Sequence, residues 1–327
     1  MTQDVLGPDW ENRTLPLAPD GVGRLHARTS PEAPDPVATL VHPHDVGRRS
    51  RAVLYVHGFT DYFFQVDHAQ AWAQHGYDFF AVDLRDYGRS IRPGRTPGWT
   101  NDLAVYDEDL TAALAAVRAY AYDQVLILAH STGGLITPLY LDKYPDAADA
   151  LILNSPWLDL NASGFNRTVT TAVLEVLASY APRLRVSRLQ EPYGRSLHTS
   201  TGGEWDFDLR WKPIEHVPVY AAWLRAIRRG HRAIAHGLDL PLPILECTSA
   251  RSGHPLRPTQ DELDGADVVL DVADMHARGP MLGPDVTVVQ IEGGRHDLAL
   301  SPLPARRAYE RTIFQWLDRR GFTGTSH

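Results

Sequence analysis

The stretch that decides the fold is QVLILAHSTGGL, residues Gln124–Leu135, an apolar run that leads into a serine and then into a helical pattern. Ser131 has Ala129 two positions before it and Gly133 two positions after it. A sharp strand-to-helix turn needs small residues there, because larger side chains would collide across it, and the turn leaves the serine oxygen exposed above the sheet. The usual pattern has glycine at both positions, and Ala129 departs from it by one methyl group. The stretch therefore predicts a nucleophilic serine at the end of a buried strand.

Length and composition are those of an ordinary globular chain. The 327 residues are 43% hydrophobic and 22% charged, with a formal net charge of −8, which suits one sizeable core. Acidic and basic residues are interleaved, so no basic stripe indicates nucleic acid as a partner. The single Cys247 does not indicate an oxidising compartment. Met1–Asn12 has no apolar signal region and no apolar run reaches membrane-spanning length, so we expect a cytoplasmic protein without a stable membrane anchor.

Apolar strands and amphipathic helices alternate along most of the chain. We predict strands at Thr14–Leu17, Gly23–Thr29, Val37–Val41, Arg51–Val56, Phe79–Asp83, Val125–Ala129, Ala150–Asn154, Pro243–Thr248 and Val286–Ile291. We predict helices at Val66–His75, Asn101–Tyr120, Thr132–Lys143 and Ala305–Arg319. This alternation predicts an α/β fold with a mostly parallel central sheet and helices on both of its faces.

The alternation is interrupted between Ser155 and Leu240. This segment is mostly helical or irregular in pattern and is rich in arginine and aromatic residues. We predict that residues 155–240, called the cap below, form a mainly helical insertion, and that residues 1–154 and 241–327 together form the core. Gly202-Gly203 and Asp239–Pro243 are the expected hinges of the cap.

A serine nucleophile needs a base, and the base needs a carboxylate that fixes its tautomer. His296 lies in Gly293–Asp297 (GGRHD), a loop that directly follows the last predicted strand. Glycines before a histidine allow the backbone to turn so that the imidazole reaches across the edge of the sheet. The chain has fifteen histidines, and an unremarkable surface position is the alternative for this one. Its place after the last strand favours the role of base.

The carboxylate partner is less clearly marked. No acid follows the strand Pro243–Thr248 within the next few residues, where one is expected. Asp267 is the next candidate, since it precedes an apolar pair and a helical pattern and lies 29 residues before His296. Asp271 is an alternative acid but also suits the N-cap of the following helix, and Asp159 is another alternative. Two further acids are expected on solvated faces: Asp264 and Asp274.

Taken together, these motifs resemble a known superfamily. The chain is similar to the α/β-hydrolases, in particular to the lysophospholipase- or monoacylglycerol-lipase-like serine hydrolases often labelled serine aminopeptidase S33. The resemblance runs from about Val53 to the C-terminus, without the cap, and keeps the order nucleophile, acid, base. The motifs that carry it are Tyr55-Val56-His57-Gly58-Phe59, Asp83–Ser90 (DLRDYGRS), Ala129–Gly133 (AHSTG), Ala266-Asp267 and Gly294–Asp297 (GRHD).

The resemblance also implies an oxyanion hole. In this superfamily the backbone amide after the His-Gly pair and the amide after the nucleophile bind the developing oxyanion, and the matching residues here are Phe59 and Thr132. Backbone donors at a helix N-terminus are preorganised and are aided by the helix dipole. His57 and His130 are expected to be structural.

The expected function is hydrolysis of a carboxylic ester, an acyl ester or a lipid, through an acyl-enzyme. Aromatic residues of the cap are expected to line the acyl pocket: Trp157, Trp205, Trp211 and Trp223. No phosphate loop or dinucleotide motif occurs, and His42-Pro43-His44 has no third ligand nearby, so no cofactor and no metal are expected. The alternatives are another chemistry of the same residues (peptidase, thioesterase, carbon–carbon-bond hydrolase or acyltransferase) and a non-catalytic binding module.

Overall fold

A computed structural model describes residues 2–20, 34–160, 171–189 and 191–322. Its strands are β1 (Thr2–Asp4), β2 (Gly7–Pro16), β3 (Val37–Pro43), β4 (Arg51–Val56), β5 (Tyr77–Asp83), β6 (Gln124–His130), β7 (Ala150–Asn154), β8 (Arg185–Arg188), β9 (Pro218–Tyr220), β10 (Ile244–Ser249) and β11 (Val286–Ile291). The α-helices of the described residues are α1 (Val66–Gln74), α2 (Tyr106–Arg118), α3 (Gly133–Lys143), α4 (Thr171–Tyr180), α5 (Glu191–Leu197), α6 (Ala221–His236), α7 (Gln260–Gly265), α8 (Val272–Arg278) and α9 (Leu303–Arg319).

Nine strands form one sheet in the order β1-β2-β3-β5-β4-β6-β7-β10-β11. The first three pair antiparallel with one another, and β3 pairs antiparallel with β5. From β5 to β11 every pairing is parallel. The predicted mostly parallel sheet is therefore confirmed, with an antiparallel edge. The strand predicted at Gly23–Thr29 lies outside the described residues.

The inner parallel strands are buried because helices cover both faces of the sheet, whereas the edge strand β11 is half-buried. Along β4, Leu54 belongs to one apolar cluster, whereas its neighbours Val53 and Tyr55 belong to a second cluster on the opposite face. Residues of α2, α3 and α6 complete the first cluster, and residues of α1 and α9 complete the second. Side chains alternate between the two faces of a strand, so each parallel strand contributes to both clusters. The prediction of helices on both faces is confirmed.

The long helix predicted at Asn101–Tyr120 begins later than expected. Asp102 accepts a hydrogen bond from the Ala104 N–H (3.0 Å) with its side chain, and a 3₁₀ turn at Leu103–Val105 precedes α2. Aspartate favours such local capping at the start of a helical segment. The side-chain cap therefore replaces the first predicted turn of the α-helix.

The described part of the cap contains α4, α5, α6 and a small sheet in which β8 pairs antiparallel with β9. The sequence did not predict these two strands. Both are very short, and β8 (RVSR) is half-exposed and polar, so it lacks the apolar alternation by which strands are recognised. Among the described residues, no helix is long and apolar enough to cross a membrane.

Candidate active site

Ser131 lies in the sharp turn between β6 and α3. Its φ is 52°, a costly value for a residue with a Cβ. A hydrogen bond of 3.1 Å from the Ser131 N–H to the Asn154 carbonyl oxygen holds the turn against β7. Gly133 has no substitute here, since a Cβ at that position would lie 2.6 Å from two backbone carbonyl oxygens. Ala129 is fully buried in β6, so the core accommodates the methyl group that departs from the usual glycine.

The structure brings Ser131, His296 and Asp267 together in one hydrogen-bonded series. His296 Nε2 lies 3.0 Å from Ser131 Oγ, and His296 Nδ1 lies 2.8 Å from Asp267 Oδ2. Ser131 is 8% exposed, His296 4% and Asp267 0%. The series therefore runs from the fully buried Asp267 carboxylate to the slightly exposed Ser131 hydroxyl. The distance of 3.0 Å between His296 Nε2 and Ser131 Oγ allows the imidazole to accept the hydroxyl proton.

Asp267 is held in place by its second oxygen. Its Oδ1 accepts hydrogen bonds from the backbone N–H groups of Val269 and Leu270, both at 2.8 Å. The loop between α7 and α8 thus wraps around the carboxylate and directs the other oxygen at His296. Hydrogen bonds to a buried carboxylate stabilise its charged form.

The two alternative acids are engaged elsewhere. Asp271 is the N-cap of α8, where its side chain accepts from the Ala273 N–H at 3.0 Å. Asp159 forms an ion pair with Arg278 at 2.7 Å. Within the described residues, neither carboxylate forms a hydrogen bond with His296. Of the three acids considered from the sequence, Asp267 is the one that contacts the imidazole.

Two histidines beside the series are buried. His57 accepts the Leu84 N–H at its Nε2 (3.1 Å), which leaves the proton on Nδ1, 2.7 Å from the Gly58 carbonyl oxygen. His130 Nδ1 lies 3.0 Å from the Asn154 carbonyl oxygen, and the His130 ring lies 4.9 Å from the ring of His296. Burial lowers the pKa of both side chains, which favours the neutral imidazole.

The two backbone amides predicted for an oxyanion hole flank the nucleophile. Phe59 and Thr132 both lie in the wall of the cavity that contains Ser131. Among the hydrogen bonds of the described residues, none uses the backbone N–H of Phe59 or of Thr132. Gly58, next to Phe59, approaches the nucleophile closely, since a Cβ on it would lie 3.0 Å from the Ser131 Cβ. The two amides are thus available to a ligand at this position.

A cavity adjoins Ser131 and His296, and its wall contains residues of both the core and the cap. Its apolar part is formed by Phe59, Trp157, Leu189, Ile214, Val219, Trp223 and Leu270. The ring centroids of Phe59 and Trp223 are 4.1 Å apart, and those of Trp157 and Trp223 are 5.7 Å apart. Two of the four tryptophans predicted to bind substrate thus lie in the cavity wall.

The other two tryptophans are a correction, because the structure places Trp205 and Trp211 away from the described cavity wall. Trp205 donates its indole N–H to the Leu300 carbonyl oxygen at 3.1 Å. The Trp211 ring packs 5.1 Å from the ring of Tyr62, with the Arg89 guanidinium 5.4 Å from its centre. Both tryptophans belong to a separate apolar cluster between cap and core. An indole ring has an apolar body and a polar N–H edge, so it packs readily between the cap and the core. The aromatic content of the cap alone could not show whether a given tryptophan packs there or lines the cavity.

Two polar cap residues of the cavity wall, Tyr193 and Lys212, were not among the predicted substrate-binding residues. The Tyr193 hydroxyl accepts the backbone N–H of Asp297 at 2.8 Å, and its ring lies 5.7 Å from the ring of His296. Lys212 forms an ion pair of 2.7 Å with Asp61. The one available signal for Lys212 was rarity, because the chain has only two lysines.

One group of potential metal ligands lies near the nucleophile. Asp61, His130 and Asp297 each bring a ligand atom within 4.8 Å of the other two. Protein donors already occupy the carboxylates, since Asp61 is paired with Lys212 and Asp297 accepts from two side-chain amides. The Lys212 ammonium group is thus the cation that pairs with Asp61 of this group.

Comparisons with known protein sequences match part of the chain. The family model for serine aminopeptidase, S33, matches residues 47–208. A monoacylglycerol lipase of Mycolicibacterium smegmatis is 31% identical over 140 residues, which are 42% of this chain and 48% of that protein. Lysophospholipase L2 of Escherichia coli is 37% identical over 84 residues, 25% of each chain. The chain thus spans about half, or less, of the length of these curated relatives.

Solved structures match over most of the chain. A soluble variant of the monoglyceride lipase of Saccharomyces cerevisiae, in complex with a substrate analogue, covers 88% of this chain and 93% of its own with a TM-score of 0.64 at 16% identity. At this identity the likeness establishes the fold.

Proposed function

We propose that the chain is a serine hydrolase of the α/β-hydrolase superfamily that cleaves carboxylic esters, as the family-model match and the fold support. The observation that carries the proposal is the series Ser131–His296–Asp267, with contacts of 3.0 and 2.8 Å. Relatives that are named as a monoacylglycerol lipase and a lysophospholipase support an ester as the bond that is cleaved.

The proposed reaction has two halves. Ser131 attacks the ester carbonyl while His296 Nε2 accepts the hydroxyl proton, and Asp267 stabilises the imidazolium through Nδ1. His296 then returns the proton to the leaving alcohol, which leaves an acyl-enzyme. In the second half, a water molecule takes the place of the alcohol and releases the acid. The strained φ of Ser131 presents the hydroxyl to both reactants.

The backbone amides of Phe59 and Thr132 are proposed to bind the oxyanion of each tetrahedral intermediate. Thr132 directly precedes α3 (Gly133–Lys143), so its amide adds the field of the helix N-terminus to the hydrogen bond. Removing one such donor costs roughly 3–4 kcal/mol of transition-state stabilisation in other hydrolases.

The proposed substrate is an acyl ester or lipid whose chain lies against the apolar wall of the cavity. Trp157 and Trp223 lie in the cavity wall and are 5% and 2% exposed, so this part of the wall is shielded from bulk solvent. We assign residues 155–240 as a cap over the active site because Trp223, Tyr193 and Lys212 lie in the same wall as Ser131. In an apolar pocket each methylene group that is gained or lost changes the specificity by roughly 1–3 kcal/mol.

The experiment that tests the function compares wild type with Ser131→Ala. Wild type is expected to react with a fluorophosphonate probe and to hydrolyse members of a graded series of acyl esters. Ser131→Ala is expected to lose labelling and to lower turnover by roughly four to six orders of magnitude. Ser90→Ala is the matched control, since Ser90 is a buried serine bonded to Thr39 and Asp83 and should label as wild type does.

Matched thioester and peptide substrates separate the ester assignment from the other chemistries of the same residues. Ester turnover well above thioester and peptide turnover supports the proposal. Probe labelling without ester hydrolysis would leave the nucleophile in place but refute the ester as substrate. A cytoplasmic location is proposed from the sequence alone, and cell fractionation tests it.

A further inference from the structure

The cap places a lysine ammonium group in the wall of the catalytic cavity. Lys212 Nζ lies 2.7 Å from Asp61 Oδ1, and the two side chains are 14% and 2% exposed. Lys212 comes from the cap and Asp61 from the loop after β4, and both lie in the same wall as Ser131. Screening by water is weak at such exposure, so each charge acts strongly on its surroundings.

The Lys212 ammonium is also enclosed by aromatic rings. It lies 5.8 Å from the ring centre of Phe64 and 5.7 Å from that of Phe207, distances at which ring faces attract a cation. These contacts and the carboxylate keep the ammonium at one position.

Asp61 lies close to the proposed catalytic groups. It follows Phe59 by two residues, and the intervening Thr60 has a φ of 51°, so the backbone of this loop is constrained. The Asp61 and Asp297 carboxylates and a ring nitrogen of His130 all lie within 4.8 Å of one another. Two buried carboxylates thus stand together beside His130, the residue that precedes the nucleophile, and Lys212 is ion-paired with one of them.

Without a cation beside it, the Asp61 carboxylate would oppose catalysis, because the reaction develops another negative charge on the carbonyl oxygen of the substrate. Oxyanion holes work by presenting partial positive charge at that oxygen in a site from which water is excluded. A nearby negative charge in the same low-dielectric site raises the energy of the oxyanion. The ion pair with Lys212 removes most of that repulsion.

We propose that Lys212 is a positioning residue of the active site whose ammonium neutralises Asp61, so that the oxyanion forms at the Phe59 and Thr132 amides without opposition from this carboxylate. The inference rests on the proposed function for the identity of the oxyanion hole. It assigns the cap an electrostatic role in the chemical step in addition to any contact with the acyl chain. A pure latch between cap and core is the competing explanation for the ion pair.

The test uses the full chain and measures two quantities for each variant. One is the second-order rate constant of labelling by a fluorophosphonate, which places charge on an oxygen in the same amide pocket whatever the natural ester is. The other is kcat and KM on the best ester of the graded series. Thermal unfolding of each variant reports whether the fold is intact.

Lys212→Met is expected to slow labelling and kcat by about 10- to 100-fold, less than the loss of an oxyanion donor, with KM changed little. Lys212→Gln keeps a donor to Asp61 without the charge, so it should be slowed as well, and it serves if Lys212→Met does not fold. Lys143→Met is the matched control. It breaks the other lysine–aspartate pair of the chain, Lys143–Asp107 at 2.6 Å on the surface, and should leave both rates unchanged.

The decisive variant combines Asp61→Asn with Lys212→Met. If the role is electrostatic, removing both charges restores most of the rate lost in Lys212→Met. If the pair is only a latch, the double variant is as slow as Lys212→Met, and the inference is overturned. A Lys212→Gln variant with the wild-type rate also overturns it. If wild type is labelled but hydrolyses no ester, the proposed ester substrate is refuted, and the labelling rates of the variants still test the role of Lys212. If wild type is not labelled, both the proposed function and the role of Lys212 are refuted.

Discussion

Replacing Asp267 by asparagine changes one atom of the proposed catalytic series, and the structure determines which way the new side chain must point. Asp267 Oδ1 accepts the N–H groups of Val269 and Leu270, both at 2.8 Å. An amide oxygen can accept both, whereas an amide NH₂ group placed there would face two donors and leave them unpaired. The asparagine oxygen therefore stays against the backbone, and its NH₂ group faces His296 Nδ1.

The consequence for His296 is a change of tautomer. An NH₂ group 2.8 Å from Nδ1 (the present distance to Oδ2) donates to it, so the neutral ring carries its proton on Nε2. Nε2 lies 3.0 Å from Ser131 Oγ and can no longer accept the hydroxyl proton. The same substitution in a serine protease lowers kcat about 10⁴-fold for this reason, and we expect a loss of about that size, close to 5 kcal/mol in activation free energy.

The assay measures kcat on an activated ester and the rate of fluorophosphonate labelling for Asp267→Asn and Asp271→Asn. Asp271 is the N-cap of α8, and asparagine caps a helix about as well as aspartate, so this control should lie within about twofold of wild type. The fold of Asp267→Asn should be retained, because the two backbone hydrogen bonds persist. An Asp267→Asn variant that keeps more than about a tenth of the wild-type kcat would refute the reasoning, as would a crippled Asp271→Asn variant.

Two further predictions concern specificity and stability. Trp223→Ala should shift the ratio of long- to short-chain ester hydrolysis by about tenfold or more, since Trp223 lies in the cavity wall. Trp205→Ala should leave this ratio unchanged and lower only the stability of the fold. Equal ratios in both variants would contradict the assigned acyl site. Glu246 is buried with no hydrogen-bond partner for either oxygen among the described residues, and burial raises its pKa from 4.5 to about 8. Between these values the folded state holds a proton that the unfolded chain has lost, so the free energy of unfolding should fall as pH rises, by about 1.4 kcal/mol per pH unit at most. Urea unfolding from pH 5 to 9 should show this slope in wild type and not in Glu246→Gln, and an identical slope in the two proteins would contradict the assignment.

Strands of the parallel sheet could be predicted closely from the sequence. The predicted bounds of β4, β7 and β11 agree with the structure at both ends. β4 and β7 carry runs of apolar residues with polar residues or turns at their ends, and burial on both faces of the sheet requires that pattern. β11 (VTVVQI) lies at the edge of the sheet and is half-buried, and its β-branched residues mark it as a strand. The predicted start of α2 is wrong because Asp102 caps a 3₁₀ turn, which competes with the α-helix over a single turn.

Three very short strands were missed. β1, β8 and β9 have three or four residues each, which is too short for a period to be recognised. They exist because a neighbouring strand offers unpaired backbone groups, and that partner is set by the tertiary fold. The intrinsic strand propensity of their residues therefore has little influence on whether such strands form.

The sequence by itself determined the local features of the site. The small residues around Ser131 specify the turn between β6 and α3, and a glycine-containing loop places His296 after the last strand of the sheet. Such features depend on backbone geometry and on the repeat of apolar residues within one strand or helix, and neighbouring residues determine both. This is why Ser131 and His296 could be named without a structure.

Only the tertiary structure decided which distant side chains meet. Asp267 and Asp271 both suit a carboxylate from their local sequence, and the direction of the loop between α7 and α8 brings only Asp267 within 2.8 Å of His296. The four cap tryptophans likewise separate into lining and packing residues by the way the cap rests on the core. Lys212 reaches Asp61 across the same boundary. These contacts depend on side-chain directions in the packed chain, and no periodicity along the sequence encodes them.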